Sequence, residues 1–305
     1  MAQTDFRHEA LIYTDEEGFL AGTVPFLREA LEAEEPTLVA VGPENAALLK
    51  HELGPGMEEV RFAEMRRLGR NPARIIPFWR QFVDEHAGES VRGIGEPVWP
   101  GRHSREIDEC RRHEHLLNVA FSAAPAWSLL CPYDGGALDE EVLRAVAASH
   151  LTVGHDGARL PSDDFVLEGD HFAGGLESHP AASVVFEFDA EGLARVRRIV
   201  EGAAQRAGLE DPHGTDLVLA ANELAANSLV HGGGTGTLRV WREGDRIVVE
   251  VEDRGRIGEP LVGRIRPLPT QAGGRGLWFA NQLCDLVQIR SGAWGTKVRL
   301  HMLTV

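Results

Sequence analysis

From residue 9 to about 150 the chain alternates short β-type runs with amphipathic helical stretches, and then the alternation stops. The runs are "ALIYT", "TLVAVG", "EEVRFAEM", "VRGIGEPVW" and "WSLLCPY". Between them lie "EEGFLAGTVPFLREALEAEE", "ENAALLKHELG", "ARIIPFWRQFVDEH" and "SREIDECRRHEHLLNVAF", with "DEEVLRAVAASH" after the last. Such alternation predicts an α/β fold with a mostly parallel sheet, helices on its faces and right-handed crossovers. Ligands of such sheets usually bind beyond the carboxyl ends of the strands.

Residues 157–182 are rich in Gly, Pro, Asp and Ser without a sustained period, and read as a linker. A different grammar follows: strand "SVVFEFD", helix "AEGLARVRRIVEGAAQRAG", a helix over 214–231, strands "TLRVWRE" and "DRIVVEVED", a Gly/Pro-rich loop, a helix from about 274, and a closing strand pair. Hairpin-like strands beside helices predict an α+β layer. The expected division is a domain over 1–156, a linker over 157–182 and a second domain over 183–305.

At 305 residues and 43% hydrophobic composition, each half is long enough to build its own core. A formal net charge of -16 argues against a broad basic surface for nucleic acid, because phosphate neutralisation needs clustered Lys and Arg. No apolar run approaches the roughly 18 residues needed to cross a bilayer, and the N-terminus lacks a charged-then-apolar signal pattern, so a cytoplasmic location is expected. Cys110, Cys131 and Cys284 are odd in number and show no CxxC spacing, which predicts reduced thiols.

"ELAANSLVHGG" (223–233) carries Glu223, Asn227 and His231 at four-residue spacing. On a helix these form one polar stripe, while Leu217, Ala221, Leu224 and Ser228 form another that is mostly apolar. "VEDRGRIG" (251–258), "GGRGLWFANQLCD" (273–285) and "GTKV" (295–298) follow in that order. Each is weak alone, and their order is specific. Residues 183–303 thereby resemble the GHKL ATPase superfamily, with its two-layer α+β sandwich (the Bergerat fold), and within it the bacterial anti-sigma-factor serine kinases.

The resemblance implies ATP and Mg2+ as cofactors, with Asn227 on the metal and Glu223 as general base. It implies that Asp253 accepts the adenine amino group, that Gly255 lets the base approach, and that Thr296 lies near the adenine. Gly274, Arg275 and Gly276 would set backbone N–H groups and a charge against the phosphates, as a helix N-terminus can. One departure stands out: Ile257 occupies the position of the family's second glycine, which bears on how the loop after Asp253 meets the nucleotide. Arg264 and Arg266, in the loop 258–272, are positioned to face phosphate or solvent. His231 reads as a capping or packing residue, and Trp278, Phe279 and Cys284 as core.

"HEALIYTDEEGFLAGTVPFLREALEAEEPTLVAVGPEN", "GEPVW", "HEHLLN" and "LLCPYD" resemble the MEDS sensory domain over residues 7–152. That resemblance implies a small organic ligand, with His8 and Cys131 as candidate ligand-site residues. No GxxxxGK[ST] is present, so a phosphate-gripping loop is not expected there. His113 and His115, two apart on a helix, point to different faces.

The combined expectation is a signalling Ser/Thr protein kinase that phosphorylates an anti-anti-sigma antagonist and otherwise holds a sigma factor, with a homodimer implied by resemblance. A non-catalytic nucleotide-gated binding module is the alternative. A histidine autokinase ranks third, because 179–216 offers no phosphoacceptor helix and His179 precedes proline.

Overall fold

The computed structural model describes residues 6–123, 126–155, 158–166, 169, 171–181, 183–268, 270 and 274–304. Residues 269 and 271–273 of the Gly/Pro-rich loop, and 157, 167, 168, 170 and 182 of the expected linker, lie outside the described residues. The chain divides into two compact units, Met1–Gly169 and Asp170–Val305. Among the described residues no helix is long and apolar enough to cross a membrane.

The first unit runs β1 (Phe6–Tyr13), α1 (Glu16–Glu32), β2 (Thr37–Val41), α2 (Pro43–Leu53), β3 (Val60–Glu64), α3 (Met65–Leu68), α4 (Ile75–Glu85), β4 (Val91–Gly95), α5 (Ser104–Ala120), β5 (Trp127–Asp134), α6 (Glu140–Ser149), β6 (Thr152–His155) and β7 (Ala158–Pro161). Its seven-stranded sheet has the order β3-β2-β4-β5-β1-β6-β7. Every neighbouring pair is parallel except β6 with β7. All five residues of β2 are buried, which explains why "TLVAV" reads as an unbroken apolar run rather than an alternation. Asp15 caps α1 by accepting from Gly18 N at 2.8 Å, with Glu16 and Glu17 in the first turn where the helix dipole favours them.

One sequence expectation is corrected here. Residues 158–161, read as linker, form the edge strand β7. A four-residue strand is too short to display a period, and Pro161, which lacks an N–H, suits an edge.

The second unit runs β8 (Val184–Phe188), α7 (Leu193–Ala207), α8 (His213–His231), β9 (Gly236–Glu243), β10 (Arg246–Asp253), α9 (Arg275–Leu283), β11 (Leu286–Gly292) and β12 (Gly295–Leu303). The sheet is antiparallel throughout, in the order β11-β12-β10-β9-β8. Val196, Val200, Leu217, Ala221, Leu224, Val249 and Leu300 are buried in one cluster, so the apolar stripes of α7 and α8 close on the sheet as a two-layer α+β sandwich. Part of the expected linker belongs to this unit's structure: Ser291 N donates to Phe172 O, and Arg299 Nη2 donates to Glu177 O at 2.8 Å.

Candidate functional site

In the second unit the polar stripe of α8 meets the start of α9. Glu223 and Asn227 are both half-buried. Gly274, with φ 77°, occupies the left-handed region immediately before α9. A Cβ on Gly276 would stand 2.9 Å from Asn227 Nδ2 and 3.2 Å from Glu223 Oε2, so bare backbone is what lets this first turn approach the stripe.

Asp253 ends β10 opposite Thr296 of β12. Ser228 Oγ donates to Asp253 Oδ2 at 2.6 Å and Gly255 N donates to Oδ1 at 2.8 Å. Each carboxylate oxygen keeps a second lone pair, enough to accept from a ligand amino group. A Cβ on Gly255 would press on His231 O at 2.6 Å, which brings the loop hard against the end of α8. Thr296 Oγ1 donates to Gly255 O at 2.9 Å and lies 2.8 Å from Ser291 Oγ, which in turn accepts from Ile257 N at 2.8 Å. The loop after Asp253 is thus clamped to β11 and β12 by two hydroxyls, while Ile257 packs on the core.

Between these parts lies a cavity of about 320 Å³, whose walls include Asn227, Asp253, Gly255, Gly274 and Thr296 of the sequence-predicted set. Glu223, Arg275 and Gly276 stand outside its lining, although any side chain at Gly276 would run into Glu223 and Asn227. Leu224, Ser228, Ile257 and Leu277 also line it. The pattern of α8 had set Leu224 and Ser228 on the packing stripe, and only the tertiary fold turns that edge toward the cavity. Arg264 is buried and Arg266 exposed, and Asn281 Nδ2 pins Gly263 O at 2.9 Å, so this stretch of the loop is docked on α9.

In the first unit β1 and β5 are adjacent, and the structure brings His8 and Cys131 together with Sγ 3.4 Å from Nε2. Burial, followed by the neighbouring His150, lowers the pKa of His8. Burial, followed by the Glu114 charge, pushes the Cys131 thiol well above its ordinary value. Burial alone would raise Glu114, yet His150 and His8 beside it hold its carboxyl well below the usual range.

The chain is thus a largely parallel α/β unit followed by an antiparallel α+β sandwich that holds a polar-ended cavity. Residues 7–151 match the family described as MEDS, the MEthanogen/methylotroph, DcmR Sensory domain, and residues 186–302 match the histidine kinase-like ATPase domain. The chain is a MEDS domain joined to a histidine kinase-like ATPase domain. Comparison with curated proteins gives no match. Among solved structures, that of the RsbU and RsbW domains of Rv1364c from Mycobacterium tuberculosis is similar at 22% identity and TM-score 0.31, over 41% of this chain and 33% of that chain.

Proposed function

We propose that the C-terminal domain binds ATP with Mg2+ and transfers phosphate to a Ser or Thr of a protein antagonist, holding a sigma factor when it does not, under the control of a small-molecule signal at the N-terminal domain. The observation that carries the nucleotide site is Asp253: a carboxylate fixed by Ser228 and Gly255 at one end of a largely apolar cavity whose lining also includes Asn227 and Gly274. The residues fit the cofactor. Asp253 and the apolar wall of Leu224, Ile257 and Leu277 suit a purine, and the Asn227 amide oxygen is a hard donor suited to Mg2+. The first turn of α9 would offer backbone N–H groups to phosphate.

Bound ATP would supply the phosphoryl group; the protein's part in such transfer is mainly positioning and electrostatics. Glu223, one turn before Asn227, would accept the proton of the incoming hydroxyl. The test is calorimetric titration of the full chain with ATP and Mg2+, beside Asp253→Asn and Asn227→Ala. Binding in the wild type, loss in the first variant and loss of the Mg2+ dependence in the second is expected. No binding in the wild type would end the nucleotide reading.

Ile257 favours a second reading, a module whose nucleotide sets a conformation without turnover. Its packed side chain and its N–H bond to Ser291 hold the loop where the resembled family has a glycine. Tight ATP binding with no phosphotransfer to any candidate antagonist would select it.

A further inference from the structure

Four ionisable side chains from separate parts of the first unit converge in its interior: His8 of β1, Glu114 of α5, Cys131 of β5 and His150 just after α6. All four are buried, and one ligand atom from each lies within 4.8 Å of the others.

The surroundings decide where the imidazole protons sit. His150 Nδ1 is 2.8 Å from Val146 O, a carbonyl that only accepts, so Nδ1 carries the proton. His8 Nδ1 is 3.1 Å from Asn118 Oδ1, and that amide is oriented by its own Nδ2 donating to Ser149 O at 2.8 Å. Its oxygen therefore faces His8 and again only accepts.

With Nδ1 as the one protonated nitrogen of each ring, both Nε2 atoms present lone pairs inward, the form in which an imidazole binds a metal, and what they meet is another acceptor. Glu114 Oε2 lies 3.0 Å from His150 Nε2 and 3.3 Å from His8 Nε2, while Cys131 Sγ is 3.4 Å from His8 Nε2. Neither Glu114 oxygen nor His150 Nε2 has a hydrogen-bond partner among the described residues. Lone pairs gathered in a buried site are unfavourable unless positive charge lies between them.

We propose that His8, Glu114, Cys131 and His150 are the four ligands of a tetrahedral site for one divalent transition-metal ion of the zinc type. Bond lengths of about 2.0–2.3 Å imply ligand-to-ligand edges of roughly 3.3–3.8 Å in a tetrahedron. The observed separations of 3.0, 3.3 and 3.4 Å approach that range. A thiolate and a carboxylate neutralise the two charges of the ion, so the buried site carries none. Two imidazoles and a sulfur select a borderline-soft metal over Mg2+ or Ca2+. The Nδ1 bonds to Val146 O and Asn118 Oδ1 are the outer-shell contacts that metal-bound histidines usually make. This goes beyond sensing at His8 and Cys131, since a metal centre is there or absent whatever the domain senses.

The test uses the full chain, stripped with chelator and titrated with Co2+ as an optical stand-in for Zn2+, with excess Mg2+ present to occupy a site at Asn227. Uptake of one ion per chain is expected, with a near-ultraviolet thiolate-to-cobalt band and the visible bands of four-coordination. Cys131→Ser should abolish the near-ultraviolet band. Cys110, whose Sγ donates to Pro97 O at 3.2 Å, gives no such band. Asn118→Ala, which leaves every ligand in place, should weaken Zn2+ binding by about 10- to 100-fold. No uptake by the wild-type chain, or uptake without a thiolate band, overturns the proposal even where a variant fails to fold. Neither result bears on ATP, which Asp253→Asn tests separately.

Discussion

Asp253 spends one lone pair of each carboxylate oxygen on its own domain, through Ser228 Oγ and Gly255 N, and that pre-orders the two that remain. Ser228→Ala removes a bond to a charged acceptor, a contact of roughly 1.5–3 kcal/mol, so ATP affinity should fall about 10-fold or more in calorimetry. An unchanged affinity would mean that Asp253 is held well enough by Gly255 alone. Glu223→Ala tests a different role. Glu223 lies beside the first turn of α9 but outside the cavity lining, so the variant should bind ATP nearly as the wild type does while phosphotransfer drops by about 10²- to 10⁴-fold. Full-speed transfer would remove it as the base. Glu223 and Asn227 were legible because i, i+4 spacing marks a helix face in any sequence. Ser228 was hidden because a hydroxyl on an apolar stripe reads as packing until a neighbouring strand end brings a carboxylate to it.

One face of the second unit's sheet packs on its helices, and on β10 the opposite face carries a buried charge-bearing residue as well. In β10 Ile247, Val249 and Val251 belong to the main core, which places Glu250 and Glu252 on the opposite face. Glu250 is nonetheless only 1% exposed. Arg299 donates to Glu250 Oε2 at 3.0 Å from Nε and 2.6 Å from Nη2, Arg239 Nη1 approaches Oε1 at 3.3 Å, and Arg299 also reaches back to Glu177 O. Residues 171–181 have no period of their own, so nothing in their sequence announces that they supply this contact. The charge of Glu250 is therefore structural. Glu250→Gln leaves the buried Arg299 guanidinium without its carboxylate, while Arg239 keeps Glu252 at 2.6 Å, and should cost about 3 kcal/mol in denaturant unfolding. A loss below about 1 kcal/mol would mark these pairs as solvated surface bridges instead.

Across the whole molecule, alternation and change of grammar were legible because they are local properties repeated many times. Convergence was legible only in part: resemblance put His8 and Cys131 forward, strand order makes them neighbours, and Glu114 of α5 and His150 after α6 join them only in the tertiary fold. Glu96 is a second case, at the carboxyl end of β4. It accepts from Gly42 N at 2.9 Å, Asn45 Nδ2 at 2.8 Å and Tyr13 Oη at 3.3 Å, tying together the ends of β1, β2 and β4. Burial raises its pKa, and the bonds from Gly42, Tyr13 and Asn45 with the charge of Arg66 only partly oppose that. A carboxyl that holds its proton more tightly folded than unfolded contributes stability that is complete below the unfolded value of about 4.3 and is lost as pH rises through the folded value. Glu96→Gln stays neutral throughout, and the other carboxylates are common to both chains. The difference in unfolding free energy, wild type minus variant, should therefore fall as pH rises from about 4 and level off above the folded pKa of Glu96. Its slope between those two limits should not exceed about 1.4 kcal/mol for each unit of pH. Urea titrations at a series of pH values read this directly. A flat difference would mean that the three donors stabilise the charged form as fully as burial opposes it.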